Sequence, residues 1–198
     1  MEQSFPTNAS TPPLSLGARL TSSETQGTTQ EFARLAAGLG LAALYGLALG
    51  ARSGGVALVH HALAASAGLA AVGVLGLPAL FVLLALVDAP VSPGAMLSAG
   101  ARSLASAGFV LAGLAPSAAL LAVTIESPDA VAFVTRAGLT LAGGIGLFQL
   151  TSSVRAMLKD LTPERRLKCN ALLFGFSLFA IMLAGRVWYS LPILKGAA

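Results

Sequence analysis

Between Ser103 and Ile125 the chain runs for 23 residues without a charged side chain, and between Ser53 and Val87 it runs for 35. A helix rises 1.5 Å per residue and the hydrocarbon layer of a bilayer is about 30 Å thick, so roughly 20 apolar residues cross it. Uncharged runs of this length constrain the fold more than any motif does. A soluble alternative would need a polar surface, and only 10% of the 198 residues are charged, against about a quarter in soluble domains. An ordinary soluble enzyme or nucleic-acid binder is excluded on that ground. The chain reads as all-α, a polytopic membrane helix bundle.

The charges divide the chain into about five transmembrane helices. Arg34 and Arg52 bracket a first uncharged run, and the spans are expected at about 34–51, 60–87, 103–125, 130–150 and 168–189. The 53–87 stretch is long for one helix and short for two, so it holds either one helix or a helix plus a re-entrant piece. Ser53-Gly54-Gly55 and the Pro90/Pro93 segment read as connections, as does Glu126-Ser127-Pro128-Asp129. Thr162 followed by Pro163 reads as an N-cap with proline at the first helical position, where its missing N–H is harmless. Residues 1–33 are expected to be a disordered Ser/Thr/Pro-rich tail, because they lack the apolar content that would offset ordering. They also lack the basic and apolar blocks of a secretory signal. Leu14, Leu16 and Leu20 offer this tail a docking pattern, and 191–198 reads as a short C-terminal tail.

Five spans put the tail and the second and fourth connections on one side. That side carries Arg19, Arg34, Arg102, Arg155, Lys159, Arg165, Arg166 and Lys168; the other carries Arg52, Arg136, Arg186 and Lys195. Basic residues accumulate in the cytoplasm, which predicts a cytoplasmic N-terminus and an external C-terminus. The same argument assigns the net charge of +4 to membrane orientation and membrane lipids rather than to nucleic acid.

Few positions carry chemistry. Arg136 and Arg186 form a candidate polar site at the membrane boundary: they hold an anionic headgroup or a carboxylate such as Glu126 or Asp129, or they snorkel to water. Pro78 and Pro116 are expected helix kinks, and paired kinks can shape a cavity that Ser117 would line. His60 and His61 are adjacent, do not share a helical face and have no acidic or thiol neighbour in sequence, so no metal site is expected. Cys169, the single cysteine, excludes an internal disulfide; it is an inert small residue or a juxtamembrane acylation target. Val154–Leu167 reads as a short amphipathic helix on the anionic leaflet or a partner-binding loop. Small residues at four-residue spacing (Gly46/Gly50, Gly108/Ala112, Gly138/Ala142/Gly146) predict close helix packing, within one chain or in a homo-oligomer.

Leu44-Tyr45-Gly46 with Gly50, then Gly76-Leu77-Pro78-Ala79-Leu80-Phe81, then Leu114-Ala115-Pro116, resemble a family of uncharacterised bacterial polytopic membrane proteins. Some of its members carry the label actin-binding, and the family is distantly similar to the Yip-type membrane proteins. Trp188 stands where a tryptophan closes that family's last span, followed here by Tyr189-Ser190-Leu191-Pro192 instead of Arg-Pro-Phe. The resemblance implies a five-helix order in a bacterial inner membrane and lends no chemistry. No nucleophile elbow, zinc-protease motif, phosphate loop or paired intramembrane carboxylates occur, so catalytic, cofactor-binding and metal residues are all expected to be none. The expected role is a scaffold or accessory subunit with a protein partner; the alternative is a small transporter or transport component.

Overall fold

Helix α1 (Leu16–Gly50) is followed by a connection in which Gly54 and Gly55 take φ of 63° and 52°, values that glycine adopts without steric penalty. The connection leads into α2 (Gly55–Ala85), followed by α3 (Pro93–Thr124), α4 (Pro128–Met157) and α5 (Pro163–Ser190). The structure is a computed structural model, and it describes residues 16–51, 54–125, 127–159 and 161–190. Among the described residues there is no strand. The chain divides into two compact units, 1–30 and 31–198; the first is helical from Leu16, and the second carries the rest of α1 and the other four helices.

Each boundary has a local cause. At the end of α2, Ala89 N–H reaches back to the Leu84 carbonyl at 3.1 Å and Asp88 N–H to Ala85 at 3.1 Å, a Schellman closure. Asp88 fills its left-handed position with φ of 50°, a conformation Asp tolerates better than most residues. Ser92 caps α3: its side chain accepts from Ala95 N–H at 3.2 Å and Pro93 follows at the first position. Asp129 in the first turn of α4 and Arg155 in the last both complement the helix dipole. For α5, the Thr162 carbonyl accepts the first helical bond from Arg166 N–H at 2.9 Å, as the Thr-Pro pattern predicts.

Several expected boundaries move. The helix α1 is already formed at Leu16, within the segment expected as tail, although its apolar membrane-length part begins at Thr29. The stretch 53–87 is one continuous helix from Gly55, so there is no re-entrant piece among its described residues. Helix α3 starts at Pro93 rather than near residue 103, because the Ser92 cap sets the boundary and Arg102 is carried as an exposed residue inside it. Val154–Leu167 is not a separate helix: Val154–Met157 closes α4 and Pro163–Leu167 opens α5. Leu14, Arg52, Glu126 and Lys195 lie outside the described residues.

Glycine brings the backbones together. A Cβ on Gly46 would lie 2.6 Å from the Ala62 Cα, and one on Gly50 would lie 2.7 Å from the Leu58 Cα, so α1 and α2 meet along their main chains. Gly38 sits equally close to Ala105 on α3, and Gly108 faces Gly38 in return. Gly138 on α4 receives the buried ring of Tyr45, and Gly146 packs on Ala107. All the expected small-residue glycines are therefore used within one chain. Two hydroxyls cross helices at these contacts: Ser66 Oγ donates to the Leu39 carbonyl at 2.9 Å and Ser103 Oγ to the Gly146 carbonyl at 2.7 Å.

Two apolar cores result. One joins α1 to α4 around Ala42, Tyr45, Leu69, Leu104, Leu111 and Ala142. The other joins α2 to α5 around Leu80, Leu84, Val154, Cys169, Leu173 and Phe176. Outside them the helices remain apolar: Leu44, Val74, Phe109, Phe148 and Phe174, one on each helix, are exposed. A soluble surface would not carry so many; a lipid-facing one does. All five helices have apolar stretches long enough to cross a membrane, the shortest being Thr29–Gly50 with 22 residues or about 33 Å. The protein is a multi-pass membrane helix bundle.

Candidate functional site: an apolar groove beside Glu31

The described residues contain one buried polar side-chain atom with no partner, and it belongs to the carboxylate of Glu31. Glu31 lies two residues into the apolar part of α1. Its Oε1 accepts from Arg34 Nη1 at 2.9 Å, one helical turn along, and from Ser98 Oγ of α3 at 2.8 Å. Its Oε2 is buried and unpaired among the described residues. An acceptor withdrawn from water without a donor is destabilising by about 1–3 kcal/mol, so this position is held by its surroundings rather than by its own bonding. The Ser98 contact ties the start of the α1 span to the second turn of α3.

Next to this cluster is an apolar groove of about 360 Å3. Phe32 and Leu35 of α1, Val74 and Pro78 of α2, and Leu97 and Ala101 of α3 line it, and Glu31 supplies its polar edge. Pockets of a few hundred Å3 lined by apolar groups with one fixed polar group suit amphiphilic ligands. No family model, no curated protein and no solved structure matches the chain. The functional reading therefore rests on the structure of the bundle itself.

The positions singled out in the sequence are distributed differently from this site. Arg136 and Arg186 are both exposed, on α4 and α5, and neither makes an ion pair with a described acidic residue; Asp129 is also exposed and unpaired. Arg34 makes the ion pair found among the described residues. Pro78 lines the groove, whereas Pro116 is exposed and does not line it. Ser117 turns its hydroxyl back to the Leu114 carbonyl at 2.8 Å. His60 and His61 meet edge to face at 6.2 Å, and His61 Nδ1 is 2.7 Å from the Ala57 carbonyl on its own helix. No group of three metal-ligating side chains forms among the described residues. Cys169 is 1% exposed inside the second core, so it is out of reach of an acyl donor while the protein is folded.

Glu31 escapes a sequence reading that ends the tail at residue 33. The signal that could have found it is the Glu31/Arg34 pair, opposite charges three apart on a helix immediately before an uncharged run.

Proposed function

We propose that this membrane protein is a scaffold or accessory subunit of a bacterial inner-membrane assembly, acting through its helix faces and not through a reaction. Its N-terminus then lies in the cytoplasm and its C-terminus outside, as the distribution of basic residues favours. On this reading it sits beside the uncharacterised polytopic proteins that its motifs resemble, and its faces dock a protein partner or a second copy.

The disposition of the hydroxyl groups carries the proposal. Ser106, Ser117, Thr124, Thr135, Thr140 and Ser177 each donate to a carbonyl three or four residues back on their own helix. Ser66 and Ser103 use theirs to tie helices together. These hydroxyls bond to backbone carbonyls rather than to one another, which disfavours a continuous path for a polar solute. The outward faces present Phe109, Phe133, Phe148 and Phe174 instead. Large apolar side chains are what a lipid- and helix-contacting surface requires, because association in lipid depends on packing.

Cross-linking in native membranes followed by purification in mild detergent tests the reading. A stoichiometric partner or a defined oligomer is expected. A lone monomer that drives solute flux in proteoliposomes would overturn it. The groove favours a second reading, a carrier of apolar amphiphiles, because a cavity beside one carboxylate oxygen matches such a ligand. For a carrier, Glu31→Gln should abolish flux at an unchanged protein level; for a scaffold, it should leave partner recovery intact.

A further inference from the structure

We propose that the pocket where α4 turns into α5 binds a phosphate group, and that this phosphate is the headgroup of an anionic membrane phospholipid. The pocket measures about 360 Å3 and is lined by Arg155, Leu158, Arg166 and Asn170. Arg155 lies in the last turn of α4, while Arg166 and Asn170 are one turn apart at the start of α5. Two separate helices thus each place an arginine at the wall of one cavity, with an asparagine beside them. Leu158, 2% exposed, belongs to the core beneath.

Neither arginine pairs with a carboxylate among the described residues, although both are exposed. Glu164, in the first turn of α5, is exposed and does not line the pocket. Guanidinium groups bind phosphate oxygens in pairs of parallel N–H bonds, so two of them with an amide form a donor set suited to a phosphodiester. Residues 155–168 carry five basic side chains against two acidic ones, which raises the local concentration of anions.

The face of α5 decides between a lipid and a free ion. Arg166, Asn170, Phe174 and Leu178 follow one another at four-residue spacing and so share one side of the helix. Phe174 and Leu178 are exposed large apolar residues, and Ile181 continues the row. A headgroup at Arg166 and Asn170 therefore has an apolar track for its acyl chain, running along the helix into the bilayer. Free phosphate would use the donors and ignore the track. Basic pockets at the ends of membrane helices are suited to anionic headgroups for the same reason.

Native mass spectrometry of the full chain in mild detergent tests the proposal, with phosphatidylglycerol as the probe and phosphatidylcholine as the neutral comparison. Phosphatidylglycerol is expected to be retained about tenfold better. The double variant Arg155→Gln/Arg166→Gln should lose that preference. Arg165→Gln/Lys168→Gln removes the same charge outside the pocket and should keep it to within about threefold. Both pairs are exposed in the native protein, and helicity by circular dichroism confirms that each variant is folded. Asn170→Ala, a neutral change at an exposed position, should weaken retention by about threefold on its own. Equal loss in the two double variants would overturn the pocket and leave only diffuse surface charge. Displacement of the lipid by millimolar inorganic phosphate would overturn the assignment to a phospholipid.

Discussion

Replacing Gly46 with alanine puts a methyl carbon 2.6 Å from the Ala62 Cα and against the His61 carbonyl. Both neighbours are helix backbone, so no rotamer change can make room. Ordinary contact begins near 3.4 Å, so the Ala62 contact alone requires α1 and α2 to part by about 0.8 Å, and the closer His61 carbonyl requires more. A gap of that size forfeits a quarter to a half of each pairwise attraction, and each atom pair contributes about 0.1–0.2 kcal/mol. Over a shared surface of roughly 40 atom pairs the loss is about 1–4 kcal/mol. Alanine is a better helix former than glycine by about 1 kcal/mol, which offsets part of it. The net expectation is a destabilisation of up to about 3 kcal/mol, reaching the range of overpacked sites generally. Reversible unfolding in mixed detergent, followed by circular dichroism, measures it. Gly40→Ala is the control, since a Cβ there meets nothing within 4 Å; it should be neutral or stabilising by up to about 1 kcal/mol. If Gly46→Ala proves as stable as Gly40→Ala, the close approach of α1 and α2 is wrong.

Ser103→Ala removes the hydroxyl that bridges α3 to the Gly146 carbonyl, and a loss of about 0.5–1.5 kcal/mol is expected in the same unfolding assay. Asp88→Gly relieves a non-glycine residue at positive φ and removes a negative charge from the C-terminus of α2. It should stabilise by about 0.5–1 kcal/mol, and a lower unfolding midpoint would count against the Schellman closure. The native Cys169 is sealed in the core, so introduced thiols can be labelled without background. A membrane-impermeant maleimide added to intact cells should modify Ser127→Cys and spare Pro90→Cys; the opposite pattern would invert the topology.

The existence and number of the spans are legible in the sequence because absence of charge over 20 residues is a long-range signal that no local detail can hide. Helix ends are less legible when the nearest charge is taken as the boundary. Ser92-Pro93 carries the same capping chemistry as Thr162-Pro163, yet Arg102 draws the eye ten residues further along. An arginine can stay on a helix and still reach water; Arg102 does so, with its Nε 3.3 Å from the Ser98 carbonyl. The small residues at four-residue spacing forecast close packing but not its partners. Whether Gly46 meets another helix of its own chain or of a second copy depends on rotation about the helix axis, and the spacing is blind to it. Glu31 was hidden by composition, since eleven Ser or Thr residues among the first 30 suggest a tail that continues past it. The Arg155 pocket depends on the angle at which α4 meets α5, which neither helix encodes alone.

The second core is closed by α5, the fifth of the described helices. Leu80 and Leu84 of α2 and Leu150 and Val154 of α4 meet Leu173 and Phe176, which reside on α5. A ribosome delivers the chain in order, so the first four helices reach the bilayer while that side of the core still faces lipid or the insertion machinery. The close contacts of Gly46, Gly38 and Gly108 join α1, α2 and α3 without any residue of α5. In the order of the chain, α5 is the helix that covers the remaining side of the second core. A nascent chain arrested before Pro163 would expose the face that α5 covers to whatever helix is nearest.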